Sequence, residues 1–237
     1  MLNYPLKKGL NGNLIKILAI IFMTIDHVGL VLFENNLILR SIGRLSYPLF
    51  AFMLAEGCFY TKNKLKHFLL VFILALVCQI TVFVYSGEVQ HNILITFSMA
   101  ILVIYAYQVF ENNKTFISSF PLVISILVVY GLNYIIPSFT KTKGFNLDYR
   151  FMGAMLPLLI YMFKDFRLKL LVTAIGLVLL SLELGSIQWF SLLSLIILSF
   201  YDGKKGKLKL KYMFYIYYPL HLLLIYGISL ILGFNFY

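Results

Sequence analysis

Residues 14–33 read LIKILAIIFMTIDHVGLVLF, an apolar run with Lys16 near its start and the ionisable pair Asp26 and His27 in its second half. A helix of about 20 such residues is long enough to cross the hydrocarbon core of a bilayer. The whole chain has the same character, because 61% of its 237 residues are hydrophobic and 12% are charged. Soluble domains contain about 25% charged residues, so the composition excludes a soluble globular or disordered chain.

Eight further apolar runs follow the first one. They are continuous, as in HFLLVFILALV at residues 67–77, whereas a membrane β-barrel strand alternates polar and apolar residues. Helices are expected instead, because a spanning helix satisfies its own backbone hydrogen bonds. We therefore predict an all-α polytopic membrane protein with about nine transmembrane helices in one domain, residues 1–237. The predicted helices cover residues 14–33, 37–57, 68–86, 92–110, 116–136, 147–163, 168–183, 186–200 and 212–233.

The basic residues predict the orientation of these helices, because lysine and arginine concentrate in cytoplasmic loops. With nine helices and a cytoplasmic N-terminus, 15 of the 20 basic residues lie inside and the C-terminus is extracytoplasmic. Fusing helices seven and eight across the weak break at residues 183–186 would give eight crossings and place the lysines of residues 204–211 outside. The inside set is Lys7, Lys8, Lys16, Lys62, Lys64, Lys66, Lys114, Lys164, Arg167, Lys169, Lys204, Lys205, Lys207, Lys209 and Lys211.

The net charge of +11 is therefore explained by topology, and no nucleic-acid partner is expected. We predict a multi-pass protein of the inner, or cytoplasmic, membrane with the lipid bilayer as its solvent. Cys58 and Cys78 have no metal-ligand spacing and are expected to be free thiols. Phosphate-binding loops and zinc-protease motifs are absent from the sequence, so nucleotide hydrolysis and zinc-protease chemistry lose support, and no metal is predicted.

Ionisable residues inside predicted spans are costly and usually functional. Asp26 and His27 lie in the outer half of helix one, and Arg40 and Arg44 form an i,i+4 pair in helix two. Because helix two descends from the outer side, Arg44 lies about 10 Å below the surface, at nearly the depth of His27. Tyr47 continues the arginine face. The sequence predicts a cluster between helices one and two; a packing salt bridge from Asp26 to Arg44 is the simpler alternative.

Two further polar residues lie in or beside apolar runs. Glu56, near the cytoplasmic end of helix two, either pairs with Lys62 or Lys64 or contacts a ligand at an inner polar gate. His221 lies about 14 Å from the inner end of helix nine, with Tyr217 one turn earlier. It is either a packed, hydrogen-bonded residue or part of the site.

Four candidates begin helices on the outer side. His91 and Asn92 precede helix four, where Asn92 is either an N-cap or, with His91, an acceptor-binding residue. Asp148 and Arg150 begin helix six and either pair locally or line an outer vestibule. Gln188, on the outer side near the start of helix eight, is expected to be a loop residue.

Two Tyr-Pro-Leu triplets, at residues 47–49 and 218–220, place prolines inside predicted helices two and nine. Proline lacks the backbone N–H and clashes with the preceding turn, which kinks or breaks a helix. We expect both helices to bend or open there.

Five segments, taken together, resemble the TraX family, membrane proteins named for a conjugative-pilin N-acetylation factor. The resemblance covers nearly the whole chain and combines the Asp-His pair, the R-x-x-G-R-L block with its A-E-G end, and a terminal Y-P-L-H. The segments are LIKILAIIFMTIDHVGLVLF at 14–33, NNLILRSIGRLSYPLFAFMLAEGCFYTKN at 35–63, HNILITFSMAIL at 91–102, DYRFMGAMLPLLIY at 148–161 and YIYYPLHLLLIY at 215–226.

The resemblance implies a membrane acetyltransferase that uses acetyl-CoA as acyl donor, with His27 and Asp26 as catalytic candidates and Arg40, Arg44 and Glu56 as motif positions. His27 is expected to act as general base on an amine or hydroxyl of a peptide or glycan acceptor, or to carry the acetyl group transiently. The resemblance does not specify the acceptor.

The residues add detail to this expectation. Successive helical side chains diverge by about 100°, so we expect Asp26 to pair with Arg44 rather than orient His27. Arg44 with Tyr47 is expected to stabilise the oxyanion of the tetrahedral intermediate. A small transporter or flippase explains buried charges and kinked helices equally well, and a non-catalytic scaffold is a third interpretation.

Overall fold

The computed structural model describes residues 9–86, 92–140, 147–207 and 211–233. The regular elements in these ranges are helices, and each predicted apolar run coincides with a helical segment, so the all-α prediction is confirmed. The α-helices are α1 (Gly12–Val31), α2 (Leu37–Gly43), α3 (Ser46–Tyr60), α4 (Lys64–Ser86), α5 (Ile93–Asn113), α6 (Phe116–Tyr130), α7 (Ile136–Thr140), α8 (Arg150–Met162), α9 (Phe166–Leu184), α10 (Ser194–Ser199) and α11 (Lys211–Ile231). A π-helical turn, Gly131–Ile135, joins α6 to α7, and a 3₁₀-helix, Ser186–Leu193, precedes α10.

Five helical stretches in the described ranges are long and apolar enough to cross a membrane. They are Gly12–Val31, Leu37–Tyr60, Lys64–Val84, Ile93–Asn113 and Phe116–Phe139. Three shorter apolar helices follow, namely Arg150–Met162, Ser186–Ser199 and Ile216–Ile231. The chain is therefore a multi-pass helical membrane protein, while the count of nine crossings and the side on which each terminus lies stay predictions.

The outward faces of the long helices are apolar. On α4, Ile73, Ile80 and Val84 are exposed, and on α6 Ile117 and Leu127 are exposed. Apolar surface of this extent destabilises a protein in water and is typical of a surface that faces another apolar medium. The lipid bilayer supplies that medium.

Two compact units make up the chain. The first consists of Met1–Met53 and Met162–Tyr237, and the second of Leu54–Tyr161. The first unit thus combines α1, α2 and the start of α3 with α9, α10 and α11. The single domain predicted for residues 1–237 stays a prediction.

Within the first unit, the start of α1 is tied to a segment almost 200 residues later. The side chain of Asn11 caps α1 by accepting hydrogen bonds from the first turn. The backbone N–H of Gly12 donates to the carbonyl of Lys204 at 2.7 Å, and that of Asn13 donates to the carbonyl of Lys205 at 3.1 Å. These two parts of the chain therefore lie on the same side of any membrane that α1 crosses, as the charge distribution predicted.

The second predicted helix, residues 37–57, is broken into α2 and α3. Pro48 has no N–H to bond the carbonyl of Arg44, and Arg44 is the C-cap of α2. Ser46, the first residue of α3, donates its hydroxyl to the carbonyl of Ala19 at 2.9 Å. The proline thus opens its helix as expected, four residues upstream of itself, whereas Pro219 lies inside one continuous helix.

The break between the seventh and eighth predicted helices is also present. Gly185 has φ +98°, a conformation that L side chains rarely adopt, and it ends α9. The segment that follows, Ser186–Ser199, has 14 residues, of which the first eight are 3₁₀-helical. A 3₁₀-helix rises about 2.0 Å per residue and an α-helix about 1.5 Å, so this segment extends roughly 25 Å. The tighter winding makes this segment longer than an α-helix of the same number of residues, and whether it crosses the membrane stays a prediction.

Cysteine labelling at the two ends of this segment tests whether it crosses. Cys58 and Cys78 are buried free thiols and are first replaced by alanine. In spheroplasts, a membrane-impermeant maleimide should then label Ser186→Cys at once, and Lys205→Cys after permeabilisation; both native residues are exposed. Labelling of both positions from the same side would contradict a crossing between them and favour the eight-helix arrangement.

Candidate functional site

Asp26 on α1 is bound by two guanidinium groups from α2 and its C-cap. Arg40 Nη1 donates to Asp26 Oδ2 at 2.5 Å, and Arg44 Nη2 donates to both carboxylate oxygens at 2.8 Å. The three side chains are 11–18% exposed. The pairing expected from helical spacing is therefore present, and it includes Arg40 as well as Arg44.

Glycines allow the close approach of α1 and α2. A Cβ atom at Gly43 would collide with Asp26, and one at Gly29 would collide with the side chain of Leu39. Small residues at helix contacts let backbones approach closely in membrane proteins. Gly43 and Gly29 thus set the spacing at which the arginines reach the carboxylate.

His27 faces a different helix. Its Nδ1 lies 3.0 Å from Nε2 of His221 on α11, and the two ring centroids are 5.0 Å apart. His221, which is 3% exposed, also places its Nδ1 3.1 Å from the carbonyl oxygen of Tyr217. The Tyr217 ring stacks on His221, and its hydroxyl lies 2.7 Å from Thr24 Oγ1 on α1.

The two adjacent residues of α1 therefore serve two separate contacts. Asp26 connects α1 to α2, and His27 connects α1 to α11. This follows from the angle of about 100° between successive helical side chains. The structure agrees with the expectation that Asp26 pairs with arginine. It also shows that His221 contacts the His27 ring, whereas the sequence placed His221 near the membrane centre without a histidine partner.

Tyr47 is buried at 2% exposure in the first turn of α3. The break after Arg44 interrupts the helical face on which the sequence placed Tyr47 with Arg40 and Arg44, so that shared face is not continuous. The oxyanion role predicted for Arg44 and Tyr47 stays a prediction.

The second unit contains Asn92, whose N-cap interpretation is confirmed. Its side chain accepts a hydrogen bond from the N–H of Leu94 at 3.0 Å and donates to the carbonyl of Ala75 at 2.9 Å. Asn92 therefore also fastens α5 to α4. Binding of an acceptor by Asn92 stays a prediction, and His91 lies outside the described residues.

The second unit also contains three other candidates, whose predicted roles remain untested. Glu56 is 4% exposed within α3. The carbonyl of Asp148 accepts a hydrogen bond from the Thr96 hydroxyl at 2.7 Å. Arg150 begins α8 with φ 49°, directly after Tyr149 with φ 59°. The contacts among Asp26, the arginines and the histidines are formed within the first unit.

Gln188 was expected in a loop, and this expectation is wrong. Gln188 and Ser191 lie in the 3₁₀-helix at 1% and 0% exposure, because residues three apart in a 3₁₀-helix share one face. Trp189 and Phe190 on the other faces are exposed. The spacing of Gln188, Ser191 and Ser194 is a sequence signal for this inward polar face.

The fold and these contacts define a multi-pass helical membrane protein with a paired ionisable cluster inside its first unit. The family described as TraX protein matches residues 11–229. The chain belongs to the TraX family, as the resemblance of its motifs predicted.

Two relatives show how the similarity is distributed. An uncharacterised protein of Rickettsia prowazekii is 36% identical over 97 residues, which are 40% of this chain and 37% of that protein's length. A protein of Dichelobacter nodosus named "Probable fimbrial assembly protein FimC, serogroup H1" is 25% identical over 246 residues, covering 89% of this chain and 92% of that protein. No solved structure matches the chain.

A double-mutant cycle tests the Asp26 ion pairs. Asp26→Asn leaves two guanidinium groups without their carboxylate, and Arg44→Gln weakens the hold on Asp26; breaking a buried pair costs about 3–5 kcal/mol. We expect each single variant to lower the midpoint of thermal unfolding in detergent. The midpoint of the double variant should fall by less than the sum of the decreases in the two single variants. Strictly additive losses would show that Asp26 and Arg44 are not coupled.

A glycine substitution tests the helix spacing. Gly43→Ala inserts a methyl group into Asp26, and overpacking costs about 1–3 kcal/mol, so we expect a lower unfolding midpoint. Gly227→Ala on α11 is the matched control, because the space around Gly227 is open and alanine is the better helix former by about 1 kcal/mol. Equal midpoints for the two variants would contradict the close approach of α1 and α2.

Proposed function

We propose that this protein is an integral-membrane acetyltransferase that moves an acetyl group from acetyl-CoA to an amine or hydroxyl group. The observation that supports this proposal best is the His27 imidazole, fixed by His221 among apolar helices. An ion pair alone would hold α1 and α2 together without a histidine. An imidazole is the side chain best suited to accept and return a proton near neutral pH.

The reaction requires one proton acceptor. His27 removes the proton from the acceptor amine or hydroxyl as its nitrogen or oxygen attacks the thioester carbonyl carbon. The tetrahedral intermediate then collapses, the C–S bond breaks, and the CoA thiolate takes the proton from the His27 imidazolium. The products are the acetylated acceptor and CoA, and His27 returns to its starting state. Transient acetylation of His27 is the two-step variant.

The arginines supply electrostatic support. The side chains of Arg40, Arg44 and Asp26 carry a summed charge of +1. The two guanidinium groups bind Asp26, which is the residue that precedes His27. We assign stabilisation of the developing oxyanion to Arg44, with Tyr47 as a further donor. Positive groups aimed at a developing oxyanion are worth most in a site that excludes water.

Acetyl-CoA would approach from the cytoplasm, where we place the basic loops. Lys204 and Lys205 are exposed beside the start of α1, and lysines attract phosphate groups. The proposed location of the protein is the inner, or cytoplasmic, membrane, where acetyl-CoA is available from the cytoplasm.

The acceptor is a peptide or a glycan. The relative from Dichelobacter nodosus is named for fimbrial assembly, so a peptide amine is the first acceptor to test. Glucosamine, with an amino group, and glucose, with hydroxyl groups only, are the glycan acceptors to test beside the peptide.

The proposal is tested with the purified protein in lipid nanodiscs and acetyl-CoA labelled in its acetyl group. We expect label to appear on a short peptide with a free α-amine, on glucosamine or on glucose, with one CoA released per acetyl group transferred. His27→Gln should lower the rate by about 10²–10⁴, the usual contribution of a general base. His67→Gln is the matched control, because His67 pairs with Tyr105 in the second unit.

Wild-type activity in His27→Gln would overturn the role of His27. Uptake of an unmodified labelled acceptor into proteoliposomes without CoA release would overturn the acetyltransferase and favour a transporter. Absence of both activities, with a folded protein, would favour the scaffold.

A further inference from the structure

The hydrogen bonds of His221 determine which of its nitrogens carries the proton. Its Nδ1 lies 3.1 Å from the carbonyl oxygen of Tyr217, and a carbonyl oxygen can only accept. Nδ1 of His221 therefore carries the hydrogen and donates it. In a neutral imidazole the second nitrogen then has the lone pair, so Nε2 of His221 is an acceptor.

The hydrogen bond between the two rings then determines which nitrogen of His27 carries the hydrogen. Nδ1 of His27 lies 3.0 Å from Nε2 of His221, and one of these two atoms has to donate. Because Nε2 of His221 is the acceptor, Nδ1 of His27 is the donor. The lone pair of neutral His27 is left on Nε2, the nitrogen on the opposite edge of the ring from His221.

We infer that His221 is the positioning residue that fixes the tautomer of His27 and so directs the basic nitrogen, Nε2, away from α11 toward the substrate. This inference rests on the proposed function of His27 as general base. It assigns His221 no contact with the substrate.

The same hydrogen bond is kept when His27 takes up the proton of the acceptor. When Nε2 of His27 takes the acceptor's proton, the ring becomes an imidazolium whose Nδ1–H still points at the lone pair of His221. A carboxylate fills this orienting position in serine hydrolases. Here the nearest carboxylate, Asp26, binds Arg40 and Arg44 instead. A neutral orienting group avoids placing a further negative charge among apolar helices, where charges are costly.

Packing holds His221 in the required rotamer. The Tyr217 ring lies parallel to the His221 ring, with an interplanar angle of 4° and centroids 5.3 Å apart. Tyr218 meets the same ring edge-on at 5.3 Å. The hydroxyl of Tyr217, 2.7 Å from Thr24 Oγ1, ties this stack to α1 one turn before His27. The backbone carbonyl of Met23 on α1 also bonds the His27 ring, so α1 and α11 together set the orientation of His27.

Two substitutions of His221 separate its hydrogen bond from its volume. His221→Gln supplies a carbonyl oxygen that can accept from Nδ1 of His27, whereas His221→Leu fills similar space without an acceptor. In the leucine variant we expect kcat to fall about 100-fold with KM for acetyl-CoA within twofold. His27 then loses both its fixed tautomer and the fixed position of its ring, and a misplacement of 1 Å can cost about 10²-fold in rate. The glutamine variant should stay within about tenfold of the wild-type kcat. His67→Leu is the matched control, with kcat unchanged.

A spectroscopic readout is independent of turnover. The chain has four histidines, so ¹⁵N-histidine NMR in nanodiscs gives few signals, and His27→Gln assigns those of His27. We expect His27 to be protonated at Nδ1 in the wild type and in His221→Gln, and to lose that preference in His221→Leu.

The outcomes are distinguishable. An unchanged His27 tautomer in His221→Leu, or an equal loss of kcat in the folded leucine and glutamine variants, would overturn the positioning role. A wild-type protein without acetyl transfer would overturn the proposed function alone, since the spectrum would still decide whether His221 sets the tautomer of His27.

Discussion

The ion pairs of Asp26 are the interaction on which the rest of the site depends. An unpaired carboxylate near the centre of a bilayer costs about 2.5–3.5 kcal/mol on insertion scales, and here two arginines from the next helical segment bind it. Because Gly43 and Gly29 allow the backbones to approach, the pairing fixes the rotation of α1 against α2. With α1 rotated in this way, the following residue, His27, faces α11. The ion pairs of Asp26 with α2 thus determine that His27 contacts His221 on α11.

This division separates two tasks that catalytic sites often combine. Asp26 and its two arginines hold α1 against α2, and in the proposed mechanism the histidine pair handles the proton. His27 and His221 lie within hydrogen-bonding distance at 3.0 Å, and a neutral pair has less need of water than an ion pair has. A transporter that binds an ion at Asp26 would have to displace two guanidinium groups first, whereas proton transfer at His27 leaves those ion pairs intact. The geometry therefore favours chemistry at the histidine over transport through the carboxylate.

Local periodicity predicted much of this from the sequence. The nine apolar runs matched helical segments, and the depth argument placed Asp26 beside Arg44, because both conclusions depend on spacing within one or two neighbouring helices. The contact between His27 and His221 joins residues 194 positions apart, and nothing in local spacing encodes that separation. The burial of Gln188 was missed for a related reason, because it depends on which helix face meets another part of the chain.

The backbone bonds between the start of α1 and residues 204–205 have a consequence for biosynthesis. The start of α1 receives these bonds only after residues 204–205 have been made, and its histidine receives its partner later still, at residue 221. Until then Arg40 and Arg44 can already bind Asp26, so a nascent chain can rest in the membrane without an unpaired carboxylate. The order of synthesis thus secures the charged residues first, and the histidine pair can form only after a further stretch of chain has been made, because its two members are 194 residues apart.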